Sequence, residues 1–183
     1  MDEGDEIEES QEAIALFKNT EGVTYLEEGY HTIKLPDGRS FSLYASPYQP
    51  EFNDMAFNYP HDEDRFGALD RAVDVVITHG PPKGTLDECS GGSVGCNSLS
   101  NALKRSSPKL HCFGHIHEGY GAGYVKWTSP EISFTAAEGE VINGVRCIKA
   151  DPAISATLEV NAAIMNGSYN PCSAPIHVSL PMA

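Results

Sequence analysis

The pattern of apolar and polar residues divides the chain into short β-prone runs with one clear helical pattern between two of them. Val73 to Thr78 is almost continuously apolar and β-branched, which predicts a strand covered on both faces in the middle of an α/β sheet. Asn97 to Arg105 carries Leu99 and Leu103 at helical spacing, and Pro108 then ends the pattern. An apolar run follows Pro108, so strand, loop, helix and strand occur in the order of a βαβ unit.

The amino-terminal third predicts a short helix followed by an antiparallel meander. Ser10 is a suitable N-cap for a surface helix that ends near Asn19, and the acidic residues 1–9 before it predict a disordered tail. Residues 46–61 are irregular, aromatic and proline-rich, which fits either a loop beside a pocket or a packed surface loop. The further predicted strands are Val23 to Leu26, Thr32 to Leu35, Phe41 to Ala45, Tyr124 to Trp127, Ala156 to Val160 and Ile176 to Leu180.

The length and net charge of the chain limit the number of domains and the kinds of partner it is expected to bind. The 183 residues suit a single domain spanning residues 1–183. A net charge of −14, from 26 acidic and 12 basic residues, disfavours binding to nucleic-acid polymers or anionic membranes. No apolar run approaches the roughly 18 residues of a membrane span, and the five cysteines are odd in number and lack a Cys-x-x-Cys pair. We therefore predict a soluble, cytoplasmic protein with reduced thiols.

Three histidines follow the two buried runs and are candidates for metal binding. His79 begins His-Gly-Pro-Pro after the first run, and His115 and His117 form His-Ile-His after the second. In an extended segment, residues two apart face the same side about 6.6 Å from each other, so His115 and His117 would project in parallel. A single histidine at a strand end is more often structural, but this grouping favours metal ligands. The remaining histidines, predicted to be ordinary surface or core residues, are His31, His61, His111 and His177.

Two segments around these histidines resemble a known family. Thr78 to Pro82 (THGPP) and Phe113 to Gly121 (FGHIHEGYG) resemble the last two signature blocks of the calcineurin-like metallophosphoesterases, and in particular the small metallophosphoesterase-domain group. Leu43 to Asn58 and Ile176 to Pro181 resemble the same group, so the similarity covers most of the chain from Val23 onward. The resemblance implies an α/β fold, the calcineurin-like α-β-β-α sandwich. It also implies a hydrolase that cleaves phosphate esters or phosphodiesters, with cyclic nucleotides as one substrate class.

The resemblance also assigns roles to individual residues. It implies a site for two divalent metal ions, manganese, iron, zinc or magnesium, that activate water. His79 and His115 match ligands of the second ion, and His117 matches a ligand of the first. From the residues themselves, Gly80, Gly114, Glu118 and Tyr120 are predicted to line the substrate pocket. The glycines would allow close approach of a charged substrate, and Glu118 and Tyr120 fit equally well as cap or packing residues.

Other motifs of the family do not occur in this sequence. Asp-x-His, Gly-Asp-x-x-Asp and Asn-His are all absent, so the catalytic proton donor is unassigned and the bridging carboxylate is missing. We therefore expect the carboxy-terminal part of the domain, without its amino-terminal strands and helices. Val73 to Thr78 would then present an apolar sheet edge suited to self-association, and the histidines alone would hold at most one metal ion.

Three functional interpretations follow. The first is a metallophosphoesterase that further sequence or another chain completes, acting on a small phosphate ester or nucleotide. The second is a catalytically inactive remnant that binds a partner, a nucleotide or a single metal ion. The third is a structural zinc module that adds Cys112 to the histidines; it is disfavoured because Cys112 lies three residues from His115, which would place it on the opposite face of a strand.

Overall fold

The computed structural model describes residues 3–127 and 132–181. The elements of these residues, in chain order, are α1 (Glu3–Asn19), β1 (Gly29–Lys34), β2 (Ser40–Ser46), β3 (Gln49–Pro50), β4 (Asn58–Tyr59), β5 (Val75–Thr78), β6 (Glu88–Cys89), β7 (Gly92–Ser93), α2 (Asn97–Ser106), β8 (Leu110–Phe113), a 3-10 turn (His117–Gly119), β9 (Gly121–Lys126), β10 (Ser133–Ala136), β11 (Glu140–Ile142), β12 (Val145–Lys149), β13 (Thr157–Asn161) and β14 (Ile176–Ser179).

A mixed seven-stranded sheet forms the centre of the fold, with strand order β1-β2-β5-β8-β13-β9-β10. The strands from β2 to β13 in this order run parallel to one another, whereas β1, β9 and β10 pair antiparallel. The predicted βαβ unit is confirmed as β5-α2-β8. The predicted open edge at Val73 to Thr78 is wrong, because β5 is hydrogen-bonded to β2 on one side and to β8 on the other.

The two faces of this sheet are covered by different elements. Helix α2 packs on one face, where Leu99 and Leu103 meet Val76 in a buried apolar cluster. The smaller sheet, of order β11-β12-β14, packs on the other face, where Ile148 joins Leu158 in a second cluster. The result is a mixed α/β fold with a large sheet and few helices, which is consistent with the predicted calcineurin-like class.

One part of the central sheet is left open. Val75 and Val76 of β5 are 7% and 0% exposed, but Ile77 is 43% exposed. The second apolar cluster draws its large-sheet residues from β8, β9 and β13, so the small sheet does not reach β5. The prediction that this strand is covered on both faces is therefore wrong at Ile77.

The amino-terminal region differs from its prediction. Helix α1 begins at Glu3, so Ser10 lies inside the helix and the acidic residues expected to form a tail belong to it from Glu3 onward. Val23 to Leu26 is not a strand, because the first paired strand begins at Gly29. Residues 46–61 form an irregular loop with one short parallel pairing between β3 and β4. No helix in the described part of the chain is both long and apolar enough to cross a membrane.

Candidate metal centre

The fold brings His79 and His115 into contact at the carboxyl ends of neighbouring parallel strands. His79 follows the last residue of β5, and His115 lies two residues after the end of β8. His79 Nε2 is 3.2 Å from His115 Nδ1, and the ring centroids are 4.7 Å apart. The Gly114 N–H donates a 3.0 Å hydrogen bond to the His79 carbonyl. The two loops are thus joined through both backbone and side chains.

The separation of the two ring nitrogens fits ligands of a single metal ion. Nitrogens that each lie ~2.0–2.1 Å from one tetrahedral ion are about 3.3–3.4 Å apart, close to the 3.2 Å observed between His79 and His115. The donor chemistry also fits, since neutral imidazole binds zinc, manganese and iron. The described residues therefore contain a pair of imidazoles whose facing nitrogens, here at hydrogen-bond distance, also have the spacing of two ligands on one ion.

The local electrostatics keep these rings in the form that binds metal. Desolvation by the surrounding protein lowers the pKa of His79. For His115, desolvation is again the largest cause of a lowered pKa, followed by electrostatic repulsion from the neighbouring His79 and His117 rings. Both shifts favour the neutral ring, in which one of the two nitrogens keeps the lone pair that a metal requires.

The backbone that leads from His115 to His117 has a different conformation from the one predicted. The expectation of an extended segment through His115 and His117 is wrong, because β8 ends at Phe113, His115 has a φ of 69°, and His117 begins a 3-10 turn. The His117 Nδ1–H donates to the Asn166 carbonyl at 3.2 Å. This bond orients the ring and leaves Nε2 free, as in many metal-binding histidines.

Acidic ligands are missing from this centre. Among residues 3–127 and 132–181, no group of three or more histidine, cysteine, aspartate or glutamate side chains is placed to hold a metal ion. His79 and His115 thus form a pair, and the role of His117 as a ligand of another ion stays a prediction. The structural zinc module is not supported either. Cys112 packs in the apolar cluster under the small sheet, and burial, followed by the charge of Glu159, raises its pKa to about 11.

A cavity of about 520 Å³ opens beside His115. Residues 46–61 contribute much of its wall, which favours a pocket loop over a packed surface loop. The Phe52 ring stands edge-on to His115, with 6.1 Å between centroids. Gln49 is 4% exposed, and its Oε1 has no hydrogen-bond partner within the described residues. The lining residues with aromatic, amide or charged side chains include Tyr48, Gln49, Phe52, Tyr59, Phe66, Lys83 and His115.

The structure brings only one of the four predicted pocket residues to this cavity. Gly80 is part of its wall, and Gly114, Glu118 and Tyr120 are not. Glu118 is exposed, and the Tyr120 hydroxyl donates to the Ala174 carbonyl at 2.7 Å. Tyr120 therefore fixes the segment before β14 to the turn that contains His117.

Comparison with known proteins identifies relatives of this chain. No family profile matches the sequence. The human metallophosphoesterase domain-containing protein 1 is 34% identical over 163 residues, which cover 86% of this chain and 40% of the human protein. This chain belongs to the metallophosphoesterase-domain group. It spans about two fifths of the length of the human relative, and the mouse protein of the same name aligns equally well.

Two further relatives match shorter parts of this metallophosphoesterase-domain chain. A UPF0046 protein of Caenorhabditis elegans is 42% identical over 94 residues, 47% of this chain and 24% of the worm protein. A protein named probable rhamnogalacturonate lyase C, from Emericella nidulans, is 41% identical over 106 residues, 56% of this chain and 10% of that protein. The lyase name is not extended to this chain, because the match covers so little of that protein.

Sequence reasoning missed a set of buried polar residues on the face of the central sheet that α2 covers. His111, predicted to be ordinary, is fully buried, and so are Glu159 and Asn161 of β13. In the sequence, Thr157, Glu159 and Asn161 alternate with Leu158 and Val160, a pattern typical of a strand with one solvent face. The one signal in the sequence that this polar face is covered was His111, which lies inside the apolar run after Pro108.

Proposed function

We propose that this chain provides imidazole ligands and the substrate cavity of a metal-dependent phosphoesterase. The observation that carries the proposal is the 3.2 Å separation of His79 Nε2 and His115 Nδ1, at the rim of a cavity whose wall includes His115. A bound divalent cation, manganese, iron, zinc or magnesium, would supply Lewis-acid chemistry that activates water and offsets charge on the phosphoryl oxygens.

The chain's own residues would hold and orient the components of the reaction. His79 and His115 would bind one ion through the facing ring nitrogens. His117, oriented by its bond to Asn166, would present Nε2 to a second ion. The cavity beside His115 would receive the organic part of the phosphate ester.

The cavity wall supports nucleotides, including cyclic nucleotides, as the substrate class. The rings of Tyr48, Phe52 and Tyr59 line it, and aromatic faces stack on nucleobases. The buried Gln49 Oε1, without a partner in the described residues, could accept a hydrogen bond from a base amine or a sugar hydroxyl. A free nucleotide also suits the net charge of −14 better than a nucleic-acid polymer. The five free cysteines support a cytoplasmic location.

Turnover would require carboxylates that the described residues do not place at the histidine pair. Neutral imidazoles do not offset the charge of two divalent cations, whereas the carboxylates of two-metal sites do. The full activity would therefore need acidic residues from a further segment or from another chain. The same observation, that no three-ligand cluster exists within the described residues, favours a second candidate function: binding of a single metal ion or a nucleotide without turnover.

Titration calorimetry with Zn²⁺ and Mn²⁺ tests the metal site. The unmodified chain should bind one ion, and His79→Ala and His115→Asn should each weaken binding at least about 10-fold, because each removes an imidazole ligand. His177→Ala is the matched control, since His177 is an exposed histidine of β14. Absence of metal binding, or equal binding by all four proteins, would contradict the proposal.

A turnover assay then separates the two candidate functions. Hydrolysis of a cyclic nucleotide by the metal-loaded chain, lost in His115→Asn and retained in His177→Ala, supports the phosphoesterase. Metal binding with no hydrolysis, by this chain alone and also after a segment or chain that supplies the missing carboxylates is added, supports the binding function.

A further inference from the structure

Three polar side chains of β13 are buried in a row on the face of the sheet that α2 covers. Thr157, Glu159 and Asn161 are each at most 1% exposed. Buried polar groups weaken a fold unless they are hydrogen-bonded, and each of these side chains bonds to a different part of the chain, although Glu159 Oε1 has no partner within the described residues. The Trp127 indole donates to Thr157 at 2.9 Å, and the Asn161 amide donates to the Ile116 carbonyl at 2.8 Å. Glu159 contacts His111.

The contact between Glu159 and His111 continues through Thr78. Glu159 Oε2 lies 2.7 Å from His111 Nδ1, and His111 Nε2 lies 2.9 Å from Thr78 Oγ1. The Thr78 hydroxyl donates in turn to the Gly80 carbonyl at 2.8 Å. These bonds link β13, β8 and β5 to the loop that carries His79.

Counting the available protons shows which atom donates and which accepts in each of these hydrogen bonds. A threonine hydroxyl has one proton, and Thr78 uses it on the Gly80 carbonyl. Thr78 must therefore accept at His111, so His111 Nε2 carries a proton and donates it. One further proton lies between His111 Nδ1 and Glu159 Oε2, so each bond in the chain has one donor and one acceptor.

The chain of bonds ends where the two metal-binding loops meet. The Gly80 carbonyl is one residue beyond His79, and a Cβ added to Gly80 would lie 3.8 Å from the His115 ring. The His79 carbonyl accepts the Gly114 N–H. A rotation of the His79–Gly80 segment would therefore change the distance between the His79 and His115 rings.

We propose that Glu159, His111 and Thr78 are positioning residues that fix the His79–Gly80 segment and thereby the separation of the two imidazoles. The use of that separation for metal binding rests on the proposed function. The hydrogen-bonded chain itself does not depend on a metal.

A pair of buried threonines provides a matched test. Thr78→Val removes the hydroxyl that holds Gly80, whereas Thr157→Val removes another buried hydroxyl, which accepts the Trp127 indole N–H. We expect Thr78→Val to weaken Zn²⁺ binding by about 10- to 100-fold, the usual effect of losing an outer partner of a metal site. Thr157→Val should stay within about 3-fold of the unmodified chain, and Thr78→Ser, which keeps the hydroxyl, should restore binding. Unchanged binding in Thr78→Val, or an equal loss in Thr157→Val, would overturn the proposal.

Amide hydrogen exchange without metal gives a second readout. The Gly114 amide bonds to the His79 carbonyl, so its exchange should be at least about 10-fold faster in Thr78→Val than in Thr157→Val if the segment is released. If the unmodified chain binds no Zn²⁺, the proposed function fails, and Gly114 exchange alone decides the positioning role. Equal Gly114 exchange in the two valine variants would overturn that role.

Discussion

At the residue scale, Gly119 allows the turn after His117 to approach the loop before β6. A Cβ on Gly119 would overlap the Leu86 carbonyl and lie 2.9 Å from the Asn161 side-chain nitrogen. Asn161 also donates to Leu86 and to Ile116, so the clash would fall on bonds that hold the histidine loop. Close backbone contact therefore requires glycine at this position.

We predict that Gly119→Ala lowers the free energy of unfolding by about 1–3 kcal/mol, the usual effect of forcing an extra methyl into a packed site. Gly167→Ala is the control, because a Cβ there meets nothing within 4 Å. Urea unfolding of both variants measures the difference. Equal stability would show that the turn rearranges at little cost and would contradict the need for glycine at position 119.

The buried polar residues also show which contacts of single residues could not be predicted from the sequence. His79 and His115 could be found because each follows an apolar run, and the ends of parallel strands meet. His111 could not be assigned, because its partners Glu159 and Thr78 are 48 and 33 positions away. Only the strand order, with β8 between β5 and β13, places the three together.

At the element scale, α2 ends at a residue with an unfavourable backbone conformation. Ser107 has a φ of 42° and a ψ of 58°, and its N–H closes the helix by donating to the Leu103 carbonyl. Glycine adopts this left-handed conformation without the steric penalty of a side chain. The bond from the Ser107 hydroxyl to Lys104, at 3.3 Å, is long and contributes little.

Ser107→Gly should therefore stabilise the protein, by on the order of 0.5 kcal/mol once the extra entropy of unfolded glycine is subtracted. Ser106→Gly should destabilise it by about 1 kcal/mol or more, since Ser106 is helical and buried. Thermal unfolding distinguishes the two, and a loss of stability in Ser107→Gly would contradict the role of the left-handed cap.

Elements with strong local patterns were predicted well, and those that depend on distant partners were not. Leu99 and Leu103 give α2 a helical period, and α2 is confirmed as Asn97–Ser106. Val23 to Leu26 has strand-like residues, but Val23 and Tyr25 are exposed, and this run pairs with no strand among the described residues. Propensity alone does not supply a neighbouring strand.

At the scale of the whole molecule, Asp74 ties three strands together at the end of the sheet opposite His79. It accepts bonds from the Ser42 N–H and hydroxyl at 2.9 and 2.8 Å and pairs with Lys109 at 2.8 Å. Partial burial by itself would raise the pKa of Asp74, but the bonds from Lys109 and Ser42 outweigh it and hold the pKa below its usual 3.8.

A carboxylate with a lowered pKa stabilises the fold above its unfolded pKa, and this contribution is lost as pH falls through the folded pKa. Asp74→Asn should therefore lower the free energy of unfolding by about 1–3 kcal/mol at neutral pH, and the difference should shrink below pH 3.8. Chemical denaturation across this pH range measures it, with the exposed Asp62→Asn as control. A difference that does not change with pH would contradict the assignment.

The partial cover of the central sheet gives a second prediction at this scale. Val76 is fully buried under α2, whereas Ile77 is 43% exposed on the other face. Val76→Ala should cost about 2 kcal/mol of stability and Ile77→Ala clearly less, although Ile77→Ala removes more carbon atoms. Equal losses in urea unfolding would mean that something covers Ile77 in solution.

The positive φ of His115, 69°, affects how the metal centre should be dissected. Alanine at this position keeps the strained backbone while deleting the ring, so any effect on binding mixes two causes. Asparagine tolerates the left-handed region better than most residues, and it also lacks the imidazole. His115→Asn therefore separates the contribution of the ring to metal binding from that of the left-handed backbone conformation at this residue.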